Sequence, residues 1–410
     1  MKIIIIYFAL FTFWTQQVLH FELTQAKGIS LMNLSFYLLI LAWGITFIHK
    51  RKLFERNNVN FYLILMMFLL ILSIPVKILL REIPHINLWH EIMFFKTWSN
   101  PIILFFILFN IVEDEKTCNL VIVGLIFLLF LTVSTMLLNS FGIMKFDVIR
   151  KVQPGRSAGF AEANQYAAYL VLFIPLLFSF FMFHKQLIIR MITGIILFLT
   201  LSGLVITGSR GGVASFLFAM FVYLLILNRQ GESRKIVLLL LSLIVIGSIS
   251  YALVPSQYQK TVKSRFDPRR AKDTREYTSN RTQIWHNGLI LFMERPIIGH
   301  GQNTFTQLNN KRFSLEYTSH NDYLLYMVHH GLIGLTVFIM IFYKVFRQVF
   351  NQLQSTKDAW KKKLYLSYLA GFFGYTFSML GVNIISPRYI FWCYTAIIYK
   401  YCYLEMSQNA

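Results

Sequence analysis

Long apolar runs separated by short polar stretches repeat along almost the whole chain, and this alternation predicts a bundle of membrane-crossing helices. A helix needs about 20 predominantly apolar residues to span the hydrocarbon core of a bilayer. Twelve segments meet that requirement, near 3–20, 30–48, 60–80, 88–111, 119–139, 163–183, 188–206, 212–228, 236–254, 320–344, 363–384 and 387–404. The first is the thinnest, because Gln16, Gln17 and His20 interrupt its apolar character. The expected fold class is therefore an all-α polytopic membrane protein of about 12 transmembrane helices. It forms a single integral membrane domain over 1–410, with one long polar loop at 255–319 between the ninth and tenth spans.

Composition narrows the picture. Of 410 residues, 56% are hydrophobic and 14% charged, which leaves no room for a soluble domain of ordinary size. The net charge of +21 does not argue for nucleic acid as a partner, because most basic residues sit in short connections between apolar runs, where they read as topology signals facing the lipid bilayer's cytoplasmic side. The N-terminus, Met1-Lys2-Ile3 to Trp14, is followed by Thr15-Gln16-Gln17 rather than a small-x-small cleavage site, so it reads as an uncleaved first helix. Cys118, Cys393 and Cys402 have neither metal-ligand spacing nor a paired framework and read as packing residues.

The connections HKRKLFER (49–56), HKQ (184–186), NRQGESRK (228–235) and the Lys/Arg-rich 344–363 alternate with less basic ones, which puts both termini in the cytoplasm. Four segments then face the opposite side: 141–162, the Thr207–Gly212 turn, the 255–319 loop, and the Ser386-Pro387-Arg388 turn. The long loop holds 11 Lys/Arg (Lys260, Lys263, Arg265, Arg269, Arg270, Lys272, Arg275, Arg281, Arg295, Lys311 and Arg312). Long loops escape the charge rule, but Arg156 and Arg210 sit in short ones, and positive charge kept there against the bias calls for another reason.

Three constellations on that side suit chemistry. His320–Gly334, reading HNDYLLYMVHHGLIG, opens an apolar run. On a helix wheel Gly331 and Gly334 fall within about 40° of His320, so one face carries an imidazole above a glycine groove into which another helix could pack. A titratable group at the water end of a span suits proton transfer, although a capping cluster of Ser319, His320, Asn321 and Asp322 accounts for the same residues. Arg210, among Gly208, Gly211 and Gly212, joins a fork-shaped cation to exposed backbone donors, which suits a phosphate or diphosphate. A snorkelling arginine in a tight hairpin is the plainer account. Arg281 begins a helical pattern (Ile284, Gly288, Leu291, Phe292) ending at Glu294-Arg295-Pro296, an amphipathic helix on the outer surface with Trp285 as its interfacial anchor.

Arg156 and Asn164, in RSAGFAEANQY, form a polar mouth to the sixth span, with helix capping by Asn164 as the simple reading. His300, between Gly299 and Gly301, reads first as part of a turn. His329 and His330 lie deeper, with His329 opposite His320 on the wheel, and read as packing groups. On the outer side there is no Asp-x-Asp pair, no carboxylate cluster and no Cys/His metal spacing, so no metal and no cofactor is expected. Basic side chains would handle phosphate charge alone.

With these residues in view, the chain resembles the O-antigen ligase family of the O-antigen ligase/polymerase superfamily. His320-Asn321, nine residues, Gly331, two residues, Gly334 matches that family's H-[N/S/Q]-x9-G-x-x-G pattern. Ser209-Arg210-Gly211-Gly212 resembles its S-R-G-G turn, and Arg281-x-x-Ile284-Trp285 with Pro296-Ile297-Ile298-Gly299-His300-Gly301 resembles its R-x-x-x-W…P-x-x-G-x-G stretch. RSAGFAEANQY is similar to the superfamily's approach to its middle helices, and the matches run from about 156 to 334.

The resemblance implies a GT-C-type glycosyltransferase in the bacterial inner membrane, with its active site facing the periplasm. The donor partner is a glycan on undecaprenyl diphosphate and the acceptor partner a lipid A–core sugar. His320 is then the catalytic base for an inverting transfer without metal. Arg210 and Arg281 hold the diphosphate, with Arg265, Arg156 and Asn321 as further substrate-binding candidates. An O-antigen polymerase shares the same site. A protein O-oligosaccharyltransferase is expected to carry a larger C-terminal periplasmic region than the six residues beyond the last span here. A transporter lined by Arg210 and Arg388 lacks the internal repeat such folds display.

Overall fold

The computed structural model describes residues 2–17, 30–50, 57–81, 86–145, 156–157, 159–231, 233–267, 269 and 278–409. His20, residues 51–56 of the first basic connection, and Arg270, Lys272 and Arg275 of the long loop lie outside the described residues. Regular structure among the described residues is α-helical. The helices are α1 (Lys2–Gln17), α2 (Leu31–Lys50), α3 (Asn60–Leu80), α4 (Leu88–Ile111), α5 (Glu115–Ser140), α6 (Ala163–Phe183), α7 (Leu187–Thr207), α8 (Arg210–Arg229), α9 (Ser233–Leu253), α10 (Ser256–Phe266), α11 (Arg281–Glu294), α12 (Phe305–Phe313), α13 (Asp322–Ser355), α14 (Ala359–Ser378) and α15 (Arg388–Asn409).

Each of the twelve expected segments falls on one of these helices. Among the described residues, eight helices, α2–α8 and α13, are long and apolar enough to cross a membrane. A ninth counts if α9 and α10, bent by 117° at a short break, make one span. The chain is thus an all-α, multi-pass membrane protein, and the expectation of about twelve spans is met as helices rather than by length and apolarity. The reasons are local. α1 has only 16 residues, α14 opens on Lys361-Lys362-Lys363, and α15 carries Arg388, Lys400 and Glu405.

Helix starts follow the usual capping chemistry, in which a short polar side chain accepts from an orphan N–H. Asn87 accepts from Trp89 and His90, Asp114 from Thr117, Ser209 from Gly212, and Asp358 from Trp360 and Lys361. The core is organised on α6, whose residues from Tyr166 to Phe178 are fully buried, and which packs against α7, α8 and α14. A Cβ on Gly371 of α14 would lie 2.2 Å from the Leu172 carbonyl of α6, so these two backbones touch directly. Close approach over small residues is how helices gain dispersion contact where lipid supplies no hydrophobic drive.

Charges inside the bundle are paired, as a low-dielectric interior requires. Lys77 on α3 and Glu91 on α4, each 2% exposed, meet at 2.6 Å. Gln302 and Asn303 donate to the same Glu91, so the turn before α12 is anchored between α3 and α4.

The 255–319 segment carries three helices, α10, α11 and α12, rather than one. α11 has the expected bounds and buries Ile284, Gly288, Leu291 and Phe292. Its other side still exposes Leu289, Ile290 and Met293, so it is apolar around much of its circumference and less amphipathic than the pattern suggested. α13 also departs from expectation, continuing to Ser355 through most of what was read as a basic connection.

Candidate functional site

The ends of α6, α7, α8, α11, α13, α14 and α15 that carry the motif residues meet at one end of the bundle. The turn between α7 and α8 is shorter than its sequence suggested. Gly208 takes the left-handed conformation that closes α7 (φ 55°), Ser209 caps α8, and Arg210 is already the first residue of α8. Arg156 is buried over this turn. Its Nε donates to the Thr207 carbonyl (2.8 Å) and its Nη2 to Asn164 Oδ1 (3.1 Å). Asn164 is not a helix cap. It lies inside α6, and its Oδ1 accepts from both Arg156 and Ser209 Oγ (2.9 Å), while its Nδ2 donates to Glu162 Oε1 (2.8 Å). Arg265, at the end of α10, reaches the same turn, where Arg210 Nη1 donates to its carbonyl (3.3 Å).

Arg281, Arg156, Arg210, Arg265 and His320 therefore form one electrostatic group, with Glu162 as a carboxylate acting on Arg156, Arg281 and His320. Burial and the neighbouring Arg265, Arg281 and Arg210 push the Arg156 guanidinium down to about 10, against the pull of Glu162. Burial and Arg210 likewise lower Arg281, and Glu162 opposes them. Both stay charged at neutral pH. His320 is lowered from its ordinary value by burial and by Arg281, again opposed by Glu162, so its imidazole is neutral there and able to accept a proton. Clustered cations that burial makes costly suit an anionic ligand.

Beside this group lies a cavity of about 150 Å3 lined by Asn164, Ser209, Gly211, Gly212, Arg281 and Trp285 at its polar end and by Phe377, Leu380 and Val382 at its apolar end. A cationic mouth over an apolar floor matches an amphiphile with an anionic head. Among the described residues no three His, Cys, Asp or Glu side chains converge as metal ligands.

His320 differs from its helix-wheel placement. It precedes α13, sits at φ 47°, and is followed by Asn321 as the N-cap, whose Oδ1 accepts from Leu324 N. Ser319 and Asp322 do not cap the helix either. The Ser319 carbonyl accepts from Trp285 Nε1 (3.1 Å), which ties α11 to the residue before His320. Asp322 is fully buried, donates its N–H to the Met379 carbonyl (2.9 Å), and pairs with Arg388 Nη2 (3.0 Å). Arg388 also stacks 3.3 Å from the Trp98 ring centre, so it is bound up in the fold rather than lining a path for substrate.

The glycine pair of the His320 motif has a different use from a helix-packing groove. Gly331 is a break within α13, with φ 63° and ψ −161°. Into that break docks the Pro296–Gly301 turn, backbone to backbone. His300 N donates to Val328 O (2.9 Å), Gly301 N to His329 O (2.9 Å), and Leu332 N to Pro296 O (2.7 Å). The two separated motifs are thus the two halves of one contact. His300 is buried in this turn, its Nε2 bonded to the Leu291 carbonyl (2.8 Å), and buried His329 accepts from Phe305 N (3.3 Å), so both serve packing.

Fold and site together define a multi-pass membrane protein with a cluster of arginines and a neutral histidine, and a cleft that Arg281 lines. Residues 195–339, which include Arg210, Arg265, Arg281 and His320, match the family described as O-antigen ligase. A Haemophilus influenzae protein described only as uncharacterized is 27% identical over 150 residues, covering 33% of this chain and 37% of that protein. The match thus spans little more than a third of the relative's length.

Proposed function

We propose that the chain is an O-antigen ligase of the bacterial inner membrane. In this reading it transfers a glycan from undecaprenyl diphosphate to a lipid A–core sugar on the periplasmic face, by a GT-C-type, inverting and metal-independent displacement. The observation that carries the reading is the electrostatic grouping of His320 with Arg156, Arg210, Arg265 and Arg281, the last of which lines a cleft with an apolar floor. The acceptor hydroxyl oxygen attacks the anomeric carbon, and His320 takes its proton. The bond from that carbon to the diphosphate oxygen breaks, and the guanidinium groups stabilise the charge that collects on the leaving group. Asn321 contributes by fixing the start of α13 next to His320.

The direct test is a lipopolysaccharide gel of a deletion strain complemented with the gene. Bare core in the deletion, restored to a full ladder by the wild type, supports ligation. A core capped by one repeat unit identifies a polymerase with the same site, and an unchanged ladder rejects both. Arginine forks grip a diphosphate bidentately and a lysine does not. Arg210→Lys and Arg281→Lys should therefore each raise the donor KM about 10- to 100-fold, the equivalent of one charged hydrogen bond. Full activity in both variants rejects bidentate recognition.

The electrostatics add a pH signature. His320 is active when neutral and is held below its ordinary value, so transfer stays flat on acidification to about 6.5 and declines only below it. Glu162→Gln removes the carboxylate that raises His320. The acid limb then moves to lower pH, and the plateau rate falls because the base is weaker. A pH–rate profile of the variant that overlays the wild type would show that Glu162 does not act on His320.

A further inference from the structure

A second group of cations lies at the far ends of the same helices. α8 starts at Arg210 in the arginine group and ends at Arg229. Its 20 residues reach about 30 Å at 1.5 Å per residue, the thickness of a bilayer's hydrocarbon core. α13 starts beside His320, and α14 ends at Ser378 in the wall of the cleft, so the opposite ends of all three helices meet at the other face. There they border a cavity of about 530 Å3. Arg229, Lys362 and Lys363 line it, with Ile226, Phe350 and Leu353 as its apolar wall. Among the described residues no Asp or Glu lines it.

We propose that this cavity binds the phosphodiester headgroup of an anionic phospholipid from the leaflet at that face, with an acyl chain laid along α8. The site is separate from the arginine cluster and stands whatever reaction that cluster performs.

The cations are the first support. Lys363 is buried, and its Nζ is fixed by Gln230 Oε1 (3.2 Å) and the Phe183 ring (4.8 Å to its centre). Neighbouring Lys361 is satisfied by Glu115 (2.8 Å). The Arg229 guanidinium and the Lys362 ammonium, by contrast, have no hydrogen bond or ion pair among the described residues. Like charges held side by side near a low-dielectric interior are costly until an anion joins them. The oxygens of one phosphodiester can accept from a guanidinium fork and an ammonium together. The topology bias accounts for basic residues in these connections, but not for their convergence on one cavity. Basic pockets between transmembrane helices are where acidic headgroups lodge. The apolar surface is the second support, and it selects a lipid over a free anion. Leu217, Phe221 and Leu225 form the i+4 ridge of α8 that ends at Arg229, and all three are exposed. A chain anchored at Arg229 therefore runs along an apolar ridge that no other helix covers. Phosphatidylethanolamine brings an ammonium of its own, which the cavity's cations oppose.

The test is native mass spectrometry of the purified full chain in detergent, titrated separately with phosphatidylglycerol and phosphatidylethanolamine. The wild type should bind phosphatidylglycerol about tenfold more tightly than phosphatidylethanolamine. Arg229→Gln and Lys362→Gln should each weaken phosphatidylglycerol about fivefold and leave phosphatidylethanolamine unchanged. Lys357→Gln removes the same charge from an exposed residue outside the cavity, and should change neither. Glycerophosphoglycerol, the same headgroup without its chains, should compete only at roughly tenfold or more higher concentration. Equal affinity for the two lipids overturns the site, as does phosphatidylglycerol binding that survives both cavity variants. A loss as large in Lys357→Gln reduces the effect to net charge and overturns it too. Glycerophosphoglycerol that competes as well as the intact lipid overturns the lipid assignment in favour of a free phosphodiester.

Discussion

His320→Ala should lower glycan transfer by about two to four orders of magnitude, the range that a positioned acid–base group supplies. The loss should appear in kcat with the donor KM little changed, because the arginines proposed to hold the diphosphate stay in place. Alanine alone does not isolate the imidazole, since His320 sits at φ 47°, a region that histidine and asparagine enter more readily than alanine. Asparagine tolerates that region well and has no basic nitrogen. His320→Asn should therefore fold like the wild type and be as inactive as the alanine variant. If His320→Asn transfers glycan at an ordinary rate, the residue serves backbone geometry and the base is another group.

The second large effect is on stability. Gly331→Ala should remove most of the folded protein, because two independent penalties meet at one atom. The backbone there, at φ 63° and ψ −161°, lies in a region that essentially only glycine occupies, and a Cβ would lie 2.2 Å from the Ile297 carbonyl oxygen. Strain alone costs about 1–3 kcal/mol, and displacing a docked backbone adds about as much again. Gly211→Ala is the matched control, since a Cβ there meets nothing within 4 Å. Thermal unfolding in detergent reads both, with a clear drop in Tm for the first and none for the second. Equal midpoints for Gly331→Ala and wild type would show that the turn is not packed as described.

Helix placement was largely legible in the amino-acid sequence, because a bilayer leaves the backbone little choice but to satisfy its own hydrogen bonds. What sequence periodicity does not encode is where a helix begins when a cap competes with the apolar pattern. His320 reads as helical until Asn321 is seen to accept from Leu324, which makes His320 the residue outside the cap. Gly331 and Gly334 fit a packing groove by spacing, yet Gly331 interrupts the helix to admit another segment. A wheel assumes regular geometry and so hides such a break. Glu162 was passed over although it lies within RSAGFAEANQY. A carboxylate six residues after Arg156 is the available signal, and only the fold brings it within range of three cationic or titratable groups. Asp322 carried no signal at all, since its partner Arg388 lies 66 residues away.

The docking of the Pro296–Gly301 turn into α13 has a bearing on recombination. Shape on one side is meaningful only against shape on the other, because the contact is made by main-chain atoms and leaves no slack for a side chain to absorb. Chimeras with a relative that cross over between 301 and 328 join a turn from one parent to a break from the other. Crossovers placed before 296 or after 334 inherit the pair intact. Exchange of segments between this chain and a relative should therefore proceed by moving the whole 296–334 block as one cassette.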